Sequence, residues 1–237
     1  MPGIITEAII LAGGLGTRLR DAVPDLPKCM APVKEVPFIA YVTEHLKQQG
    51  VRRFIFALGY KSEAFETFIQ RHFPEGSYEL SIEDEPLGTG GAIQLACSRS
   101  QQQNVVIANG DTLFRVELAD IAAFHQQQKA DCTLALKPMK AFSRYGAVEL
   151  NEDQSVLNFK EKQYFSEGLI NGGVYILNIP SFLQKKMPLK FSFEKDYLEK
   201  YYAAKKIFGI VQDEYFIDIG IPEDYERAQR ELDFEKQ

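Results

Sequence analysis

Short apolar runs alternate with amphipathic segments along the first 140 residues of the chain. The runs predict strands at Glu7–Leu11, Arg53–Leu58, Tyr78–Ile82, Val105–Ala108 and Cys132–Leu136. Between them, apolar residues at helical spacing predict helices at Phe38–Gln49, Ser62–Phe73, Gly91–Ser98 and Leu118–Gln128. This βαβ alternation is typical of an α/β protein with a parallel, doubly wound sheet.

The alternation changes after about residue 140. Three strands, partly antiparallel, are predicted closer together, at Ala147–Leu150, Val156–Lys160 and Val174–Ile179. Helical patterns follow at Phe182–Lys186, Glu194–Ala204 and Pro222–Glu235. Because no linker, repeat or low-complexity segment interrupts the chain, we predict a single domain over residues 1–237. We expect a Rossmann-like three-layer fold around a mixed, mostly parallel central sheet, with one half at residues 1–140 and another at 141–237.

Composition and charge narrow the functional class. The net charge of −6 argues against a nucleic-acid or anionic membrane surface. No apolar run approaches the roughly 20 residues that span a bilayer, and Met1-Pro2-Gly3 leaves no room for a signal peptide. The widely spaced Cys29, Cys97 and Cys132 are most simply reduced thiols. We therefore expect a cytoplasmic protein that binds neither nucleic acid nor membrane.

A glycine-rich turn follows the first predicted strand. Such a turn exposes backbone N–H groups at the carboxyl edge of a sheet, where no Cβ atom blocks the approach of a phosphate. Arg18 and Lys28 add two cations that suit a polyphosphate. The turn matches neither the P-loop nor the dinucleotide fingerprint, since Leu19 stands where a third glycine belongs. A tight turn without a ligand is the alternative. The candidate nucleotide-binding residues are Leu11, Ala12, Gly13, Gly14, Gly16, Thr17, Arg18 and Lys28, together with Asn109 and Gly110 at a later strand end.

Two carboxylates follow apolar runs in distant parts of the chain. Asp111 follows Asn109-Gly110 at the end of a predicted strand, and Asp218 ends the run Tyr215–Asp218. Ligands of open α/β sheets bind at the carboxyl ends of strands. Two such carboxylates can share one Mg²⁺, with phosphate oxygens and water as the other ligands. The alternatives are a turn residue at Asp111 and a loop residue at Asp218.

The motifs L-A-G-G-x-G-T-R-L and P-K-x-M-x-P-V resemble the signature of the sugar-1-phosphate nucleotidyltransferases. The resemblance extends from Ile9 to about Tyr225 and is strongest to the guanylyltransferases of D-glycero-α-D-manno-heptose 1-phosphate. It implies transfer of a nucleotide from a nucleoside triphosphate to a sugar 1-phosphate, with release of pyrophosphate. It also implies a nucleotide-binding first half, a sugar-binding second half, and Mg²⁺ on Asp111 and Asp218. The C-terminal β-helix common in the family is not expected here.

A second glycine-rich loop holds the base and ribose in that family. The residues that match it are Glu85, Pro86, Leu87, Gly88, Thr89 and Gly90, with Glu83 just before them. Guanine presents adjacent N1–H and N2–H₂ donors, and one carboxylate can accept from both. We therefore predict GTP as the nucleotide, with CTP, UTP and dTTP as alternatives. A solvated acidic loop is the structural alternative.

The resemblance also implies a sugar-phosphate side and five catalytic residues. The sugar-side residues are Tyr145, Gly146, Glu161, Lys162, Asn171 and Gly172, and the catalytic residues are Arg18, Lys28, Asp111, Lys162 and Asp218. Arg18 and Lys28 would hold the pyrophosphate, and Lys162 the incoming phosphate. Mannose, glucose and amino-sugar 1-phosphates are alternative substrates, and a non-catalytic nucleotide-sugar sensor is a remote alternative. We expect a monomer or homodimer, with His45, His72 and His125 at surface or cap positions.

Overall fold

The structure, a computed structural model, describes residues 5–13, 26–59 and 63–234. Its strands are β1 Glu7–Leu11, β2 Pro32–Val33, β3 Val36–Pro37, β4 Arg53–Leu58, β5 Tyr78–Ile82, β6 Asn104–Asn109, β7 Thr112–Phe114, β8 Cys132–Phe142, β9 Ala147–Leu150, β10 Val156–Lys160, β11 Phe165–Asn178, β12 Ile207–Val211 and β13 Phe216–Asp218. Its helices are α1 Phe38–Gln48, α2 Glu63–His72, α3 Gly88–Cys97, α4 Leu118–Gln128, α5 Ile179–Leu183, α6 Glu199–Tyr201 and α7 Pro222–Glu231.

Three short helical turns complete the described elements. A 3₁₀ turn, Lys28–Met30, precedes β2. A π-helical turn, Phe193–Leu198, leads into α6, and a second 3₁₀ turn, Tyr202–Ala204, follows it. Among the described residues, every helix is too short or too polar to cross a bilayer.

A nine-stranded mixed sheet forms the centre of the molecule. Its order is β10-β9-β11-β6-β1-β4-β5, with β8 paired to β11 and β12 paired to β8. Strands β6, β1, β4 and β5 are parallel, and β11 joins them antiparallel to β6. One sheet therefore contains strands from both halves of the chain.

Helices cover both faces of this sheet because the parallel strands are apolar on both sides. Ile10 packs on one face with Phe38 and Tyr41 of α1, while Ile9 packs on the other with Ile93 of α3 and Tyr197 of the π-helical turn. All six side chains are buried. These layers confirm the predicted three-layer α/β fold with a mixed central sheet.

Several element boundaries differ from the sequence predictions. Strand β11 begins at Phe165, not Val174, and passes through Asn171-Gly172-Gly173, with a register shift against β8 between Asn171 and Tyr175. It pairs with β8, β9 and β6. This pairing satisfies the backbone hydrogen-bonding groups of residues 165–173, whose sequence shows no strand pattern. Strand β8 extends to Phe142, and α3 begins at Gly88, inside the glycine-rich loop.

Two histidines lie in the core, not at the surface or cap positions expected for them. His45 contacts the backbone oxygen of Val116 at 3.2 Å. His125 lies 2.9 Å from Oγ1 of Thr133, on β8, and 3.4 Å from Oδ1 of Asn104, on β6. Desolvation lowers the pKa of both rings, that of His125 to about 4. Both rings are therefore neutral in the fold at neutral pH.

Candidate active site

Lys28 joins two carboxylates that are far apart in the chain. Its Nζ lies 2.6 Å from Oδ2 of Asp111 and 3.0 Å from Oδ1 of Asp218. Asp111 follows the carboxyl end of β6, and Asp218 ends β13. Strand β13 pairs antiparallel with β7 and places Asp218 opposite Thr112. This two-stranded ribbon brings together three residues that the sequence analysis had assigned to one site.

Lys28, Asp111 and Asp218 are called the phosphate-side cluster below, after the role predicted for them. The positive charge of Lys28 compensates part of the negative charge of the two carboxylates. The three side chains are 15%, 34% and 20% exposed, so each is partly withdrawn from water. Desolvation alone would lower the pKa of Lys28, but the charges of Asp111 and Asp218 outweigh it, and the pKa is raised above its ordinary value. Lys28 is therefore a protonated ammonium at neutral pH and can neutralise part of the acidic pair.

Asp218 has further partners that hold its carboxylate. The Gly220 N–H donates to Oδ1 at 2.8 Å, and the Tyr145 hydroxyl donates to Oδ2 at 3.3 Å. Desolvation, and then the charge of Asp218, raise the pKa of Tyr145, which therefore keeps its proton. The sequence analysis assigned Tyr145 to the sugar phosphate, whereas the structure places its hydroxyl on Asp218.

The residue before Tyr145 belongs to the same network. Arg144 NH2 lies 3.8 Å from Oδ2 of Asp218, and Arg144 also pairs with Asp224 in the first turn of α7. The sequence analysis missed Arg144 and Asp224. Their local signals were weak: a charge beside Tyr145 and an acidic residue at the start of a predicted helix.

A second group consists of Lys162, Asn171, Tyr175 and Glu194, and it is called the sugar-side group below after the role predicted for Lys162 and Asn171. The Asn171 side-chain amide donates to the Tyr175 hydroxyl at 2.7 Å and to Oε1 of Glu194 at 3.3 Å. Desolvation raises the pKa of Glu194, and the nearby charge of Lys162 acts in the opposite direction. The Glu194 side chain nevertheless remains accessible to solvent and therefore to a ligand. No role was predicted for Glu194 from the sequence.

The other predicted sugar-side residues lie around the same strands. Glu161 and Lys162 are exposed just after β10. Gly146, beside Tyr145, packs against the backbone of Lys160. Gly172 packs against the ring of Phe114 and therefore has a structural contact as well as its place next to Asn171.

The loop between β5 and α3 is fastened by Glu83. This side chain is 8% exposed, and its Oε2 accepts the Leu87 N–H at 2.8 Å. Its own N–H donates to the Leu58 carbonyl at 3.0 Å. Glu85 and Pro86 are exposed in the same loop. One oxygen of the predicted guanine-binding Glu83 therefore serves the loop backbone.

The described start of the predicted phosphate turn, Leu11–Gly13, lies at the carboxyl end of β1, near Gly110. The Gly110 N–H donates to the Leu11 carbonyl at 2.9 Å, and the Ala12 N–H donates to the Ala57 carbonyl at 2.9 Å. Gly13 follows, exposed, and Asn109 ends β6 beside Leu11. Four other predicted residues lie outside the described residues, namely Gly14, Gly16, Thr17 and Arg18.

Asp111 and Asp218 together offer the donors that a hard divalent cation requires. Carboxylate oxygens are the ligands preferred by Mg²⁺, which commonly binds one or two carboxylates and completes its shell with phosphate oxygens and water. Because Lys28 contacts one oxygen of each residue, both carboxylates can face a single cation. No group of three or more His, Cys, Asp or Glu side chains suited to a metal occurs within residues 5–13, 26–59 and 63–234. Two protein carboxylates are thus the available set in the described part of the chain.

The comparisons of this chain with known protein families and with curated proteins agree with one another. The model of the nucleotidyl transferase family matches residues 7–234. The chain is 54% identical over 226 residues to the D-glycero-α-D-manno-heptose 1-phosphate guanylyltransferase of Aneurinibacillus thermoaerophilus, covering 95% of this chain and 98% of that protein. It is 42% identical over 219 residues to the protein of the same name from Campylobacter jejuni, covering 92% and 96%.

A solved structure agrees with this family. The crystal structure of HddC from Yersinia pseudotuberculosis superimposes with a TM-score of 0.86 at 35% identity, covering 97% of this chain and all of that chain. The same protein complexed with GMP-PN gives a TM-score of 0.84. Nucleotidyl transferases generally use a divalent metal, which fits the paired carboxylates. The chain belongs to the nucleotidyl transferase family.

Proposed function

We propose that this chain transfers GMP from GTP to D-glycero-α-D-manno-heptose 1-phosphate, with Mg²⁺ as cofactor, to give the GDP-sugar and pyrophosphate. The observation that carries the phosphate chemistry is the convergence of Lys28, Asp111 and Asp218 at strand ends. The choice of GTP and heptose is supported by the names of the two relatives and by the guanine nucleotide in the HddC complex.

In the proposed reaction an oxygen of the sugar phosphate attacks the α-phosphorus of GTP. The bond from that phosphorus to the oxygen bridging the α- and β-phosphates breaks, and pyrophosphate leaves with the electron pair. The attacking phosphate is already an anion, so no general base is required. Catalysis then consists of positioning and of compensation for negative charge.

The residues divide this work between two half-sites. Lys28 and Arg18 bind the β- and γ-phosphates, and Lys162 binds the phosphate of the incoming sugar. The carboxylates of Glu161 and Glu194 accept hydrogen bonds from sugar hydroxyls, and the Asn171 amide can donate or accept them. Asp111 and Asp218 would hold Mg²⁺, which supplies positive charge to the phosphate oxygens when bound.

The base half of the nucleotide is proposed to bind at the loop between β5 and α3. Glu83 and Glu85 would supply the carboxylate that accepts from guanine N1–H and N2–H₂. Within the described part of the chain the Leu87 N–H donates to Oε2 of Glu83, which leaves Oε1 for that purpose. Uracil offers one donor flanked by two acceptors, so a carboxylate there disfavours UTP.

A substrate matrix tests the proposed function. Each of GTP, CTP, UTP, dTTP and ATP is combined with the 1-phosphates of the heptose, mannose and glucose, and pyrophosphate release and the sugar nucleotide are measured. We expect GTP with the heptose 1-phosphate to give the highest kcat/KM, with discrimination of about 10²-fold or more against UTP. Exclusive formation of GDP-mannose would contradict the heptose assignment, and equal turnover with UTP would contradict the base assignment. Absence of pyrophosphate release in every combination would contradict the enzymatic proposal as a whole.

A further inference from the structure

A short segment in the second half of the chain packs against the glycine-rich loop between β5 and α3. This segment, Leu189–Phe193, is called the strap below. The Phe191 N–H donates to the Leu87 carbonyl at 3.0 Å, and the Gly90 N–H donates to the Phe191 carbonyl at 3.0 Å. The Phe193 N–H donates to Oγ1 of Thr89 at 2.9 Å. Three hydrogen bonds thus join the strap to the loop.

The glycines of the loop are needed for this contact. At Gly88, where φ is +73°, an added Cβ would lie 2.6 Å from the carbonyl oxygen of Phe191. At Gly90, an added Cβ would lie 2.2 Å from the Phe191 ring. A side chain at either position would therefore push the strap away. At Gly88 and Gly90 the close approach is therefore made by the protein itself.

The strap leads directly into the sugar-side group. Phe193 begins the π-helical turn, and Glu194 is the next residue. The Ser192 hydroxyl accepts the Lys195 N–H at 3.2 Å, which holds the start of this turn. Glu194 in turn accepts from Asn171 and lies within the electrostatic reach of Lys162. A shift of Phe193 would consequently displace the Glu194 carboxylate relative to its neighbours.

We propose that Thr89 is a positioning residue for the sugar 1-phosphate, although it lies in the loop assigned to the nucleotide. Its hydroxyl fixes the Phe193 N–H and so sets the position of Glu194. This inference rests on the proposed function, because it takes Lys162, Asn171 and Glu194 as the sugar half-site. Thr89 itself is exposed, so water can partly replace its hydroxyl and the effect of its loss is moderate.

The test is steady-state kinetics of Thr89→Val, with each substrate varied separately. Valine keeps the shape of threonine but removes the hydroxyl, and with it the acceptor for the Phe193 N–H. We expect KM for the sugar 1-phosphate to rise about three- to tenfold, with KM for GTP changed by less than about twofold. Thr89→Ser, which keeps the hydroxyl, is the matched control and should restore the sugar KM. An increase confined to KM for GTP would overturn the proposal, as would wild-type values for both substrates.

A third variant separates this proposal from the one on which it rests. Lys162→Ala should raise KM for the sugar 1-phosphate if the half-site is correctly assigned. If Lys162→Ala has this effect and Thr89→Val does not, only the positioning role of Thr89 is wrong. If Lys162→Ala leaves the sugar KM unchanged, the half-site itself is wrong. An unchanged thermal unfolding midpoint for Thr89→Val shows that a kinetic change does not come from loss of the fold.

Discussion

The phosphate-side cluster and the sugar-side group differ in how their charges are held. Lys28, Asp111 and Asp218 are partly buried and contact one another at 2.6 and 3.0 Å. Lys162 and Glu194 are exposed, and Glu194 accepts a hydrogen bond from Asn171 at the longer distance of 3.3 Å. The two carboxylates of the first region are therefore already arranged around the Lys28 ammonium, whereas the charged side chains of the second region are exposed to solvent. We infer that substitutions in the first region disturb existing contacts, while those in the second mainly remove contacts to substrate.

The largest effect is expected from the two carboxylates of the phosphate-side cluster. Asp111→Asn and Asp218→Asn each remove a formal charge where phosphate and metal charges must be balanced. Each should lower kcat by roughly 10²-fold or more at saturating substrates and Mg²⁺. Single-turnover and steady-state assays measure this. Near-normal turnover of either variant would remove that carboxylate from the site and weaken the contrast between the regions.

A smaller effect, shared by both regions, is expected on acidification. His125 connects α4 with β6 and β8, two neighbours of β11 that support both regions. Burial lowers its pKa to about 4 in the fold, against the ordinary value of 6.5. The unfolded chain thus binds a proton more readily, so the stabilisation is complete above about pH 6.5 and is lost as the pH falls towards 4. By pH 5 the loss should be about 2 kcal/mol of unfolding free energy.

Urea unfolding between pH 4 and pH 8 tests this dependence. His125→Gln cannot titrate and should flatten the decrease within that window. His72→Gln, a change at an exposed position, is the control and should leave the decrease in place. A His125→Gln profile as steep as that of the wild type would show that other groups cause the acid sensitivity.

A still smaller effect is expected from Lys162→Ala on the sugar side. The loss of one charge-assisted contact at an exposed position should raise KM for the sugar 1-phosphate about tenfold, with less change in kcat. Lys160→Ala removes an equally signed charge whose partner is Glu149 and serves as the control. Equal effects of the two substitutions would indicate a general loss of positive charge, not a specific phosphate contact.

The parallel part of the fold and the phosphate-side cluster could be predicted because their signals lie in short stretches of the sequence. Buried strands carry continuous apolar runs, and their ends place Asp111 and Asp218 at a sheet edge. The family assignment, made from the glycine turn and the Pro27-Lys28 motif, is confirmed. The specific roles of Arg18 and Lys28 remain predictions, as does the division into two half-sites.

Features that depend on distant partners were not predictable. The burial of His125 depends on Thr133 and Asn104, and helical spacing alone placed it at the surface. The sequence around Tyr145 does not indicate its hydrogen bond to Asp218. That bond depends on the pairing of β13 with β7, which sets the position of Asp218. The glycines at 88 and 90 lie against the backbone and ring of Phe191, and nothing in their local sequence indicates this distant partner.

Metal binding measured without nucleotide tests most directly whether the phosphate-side cluster is a preorganised cation site. In the structure the Lys28 ammonium contacts one oxygen of each carboxylate, so its positive charge opposes the binding of a divalent cation to the same pair. Calorimetric titration with Mn²⁺ should therefore give an affinity about tenfold higher for Lys28→Met than for the wild type, and weaker binding for Asp218→Asn. The Lys28→Met variant should nevertheless be impaired in turnover. Unchanged Mn²⁺ affinity in both variants would contradict the account.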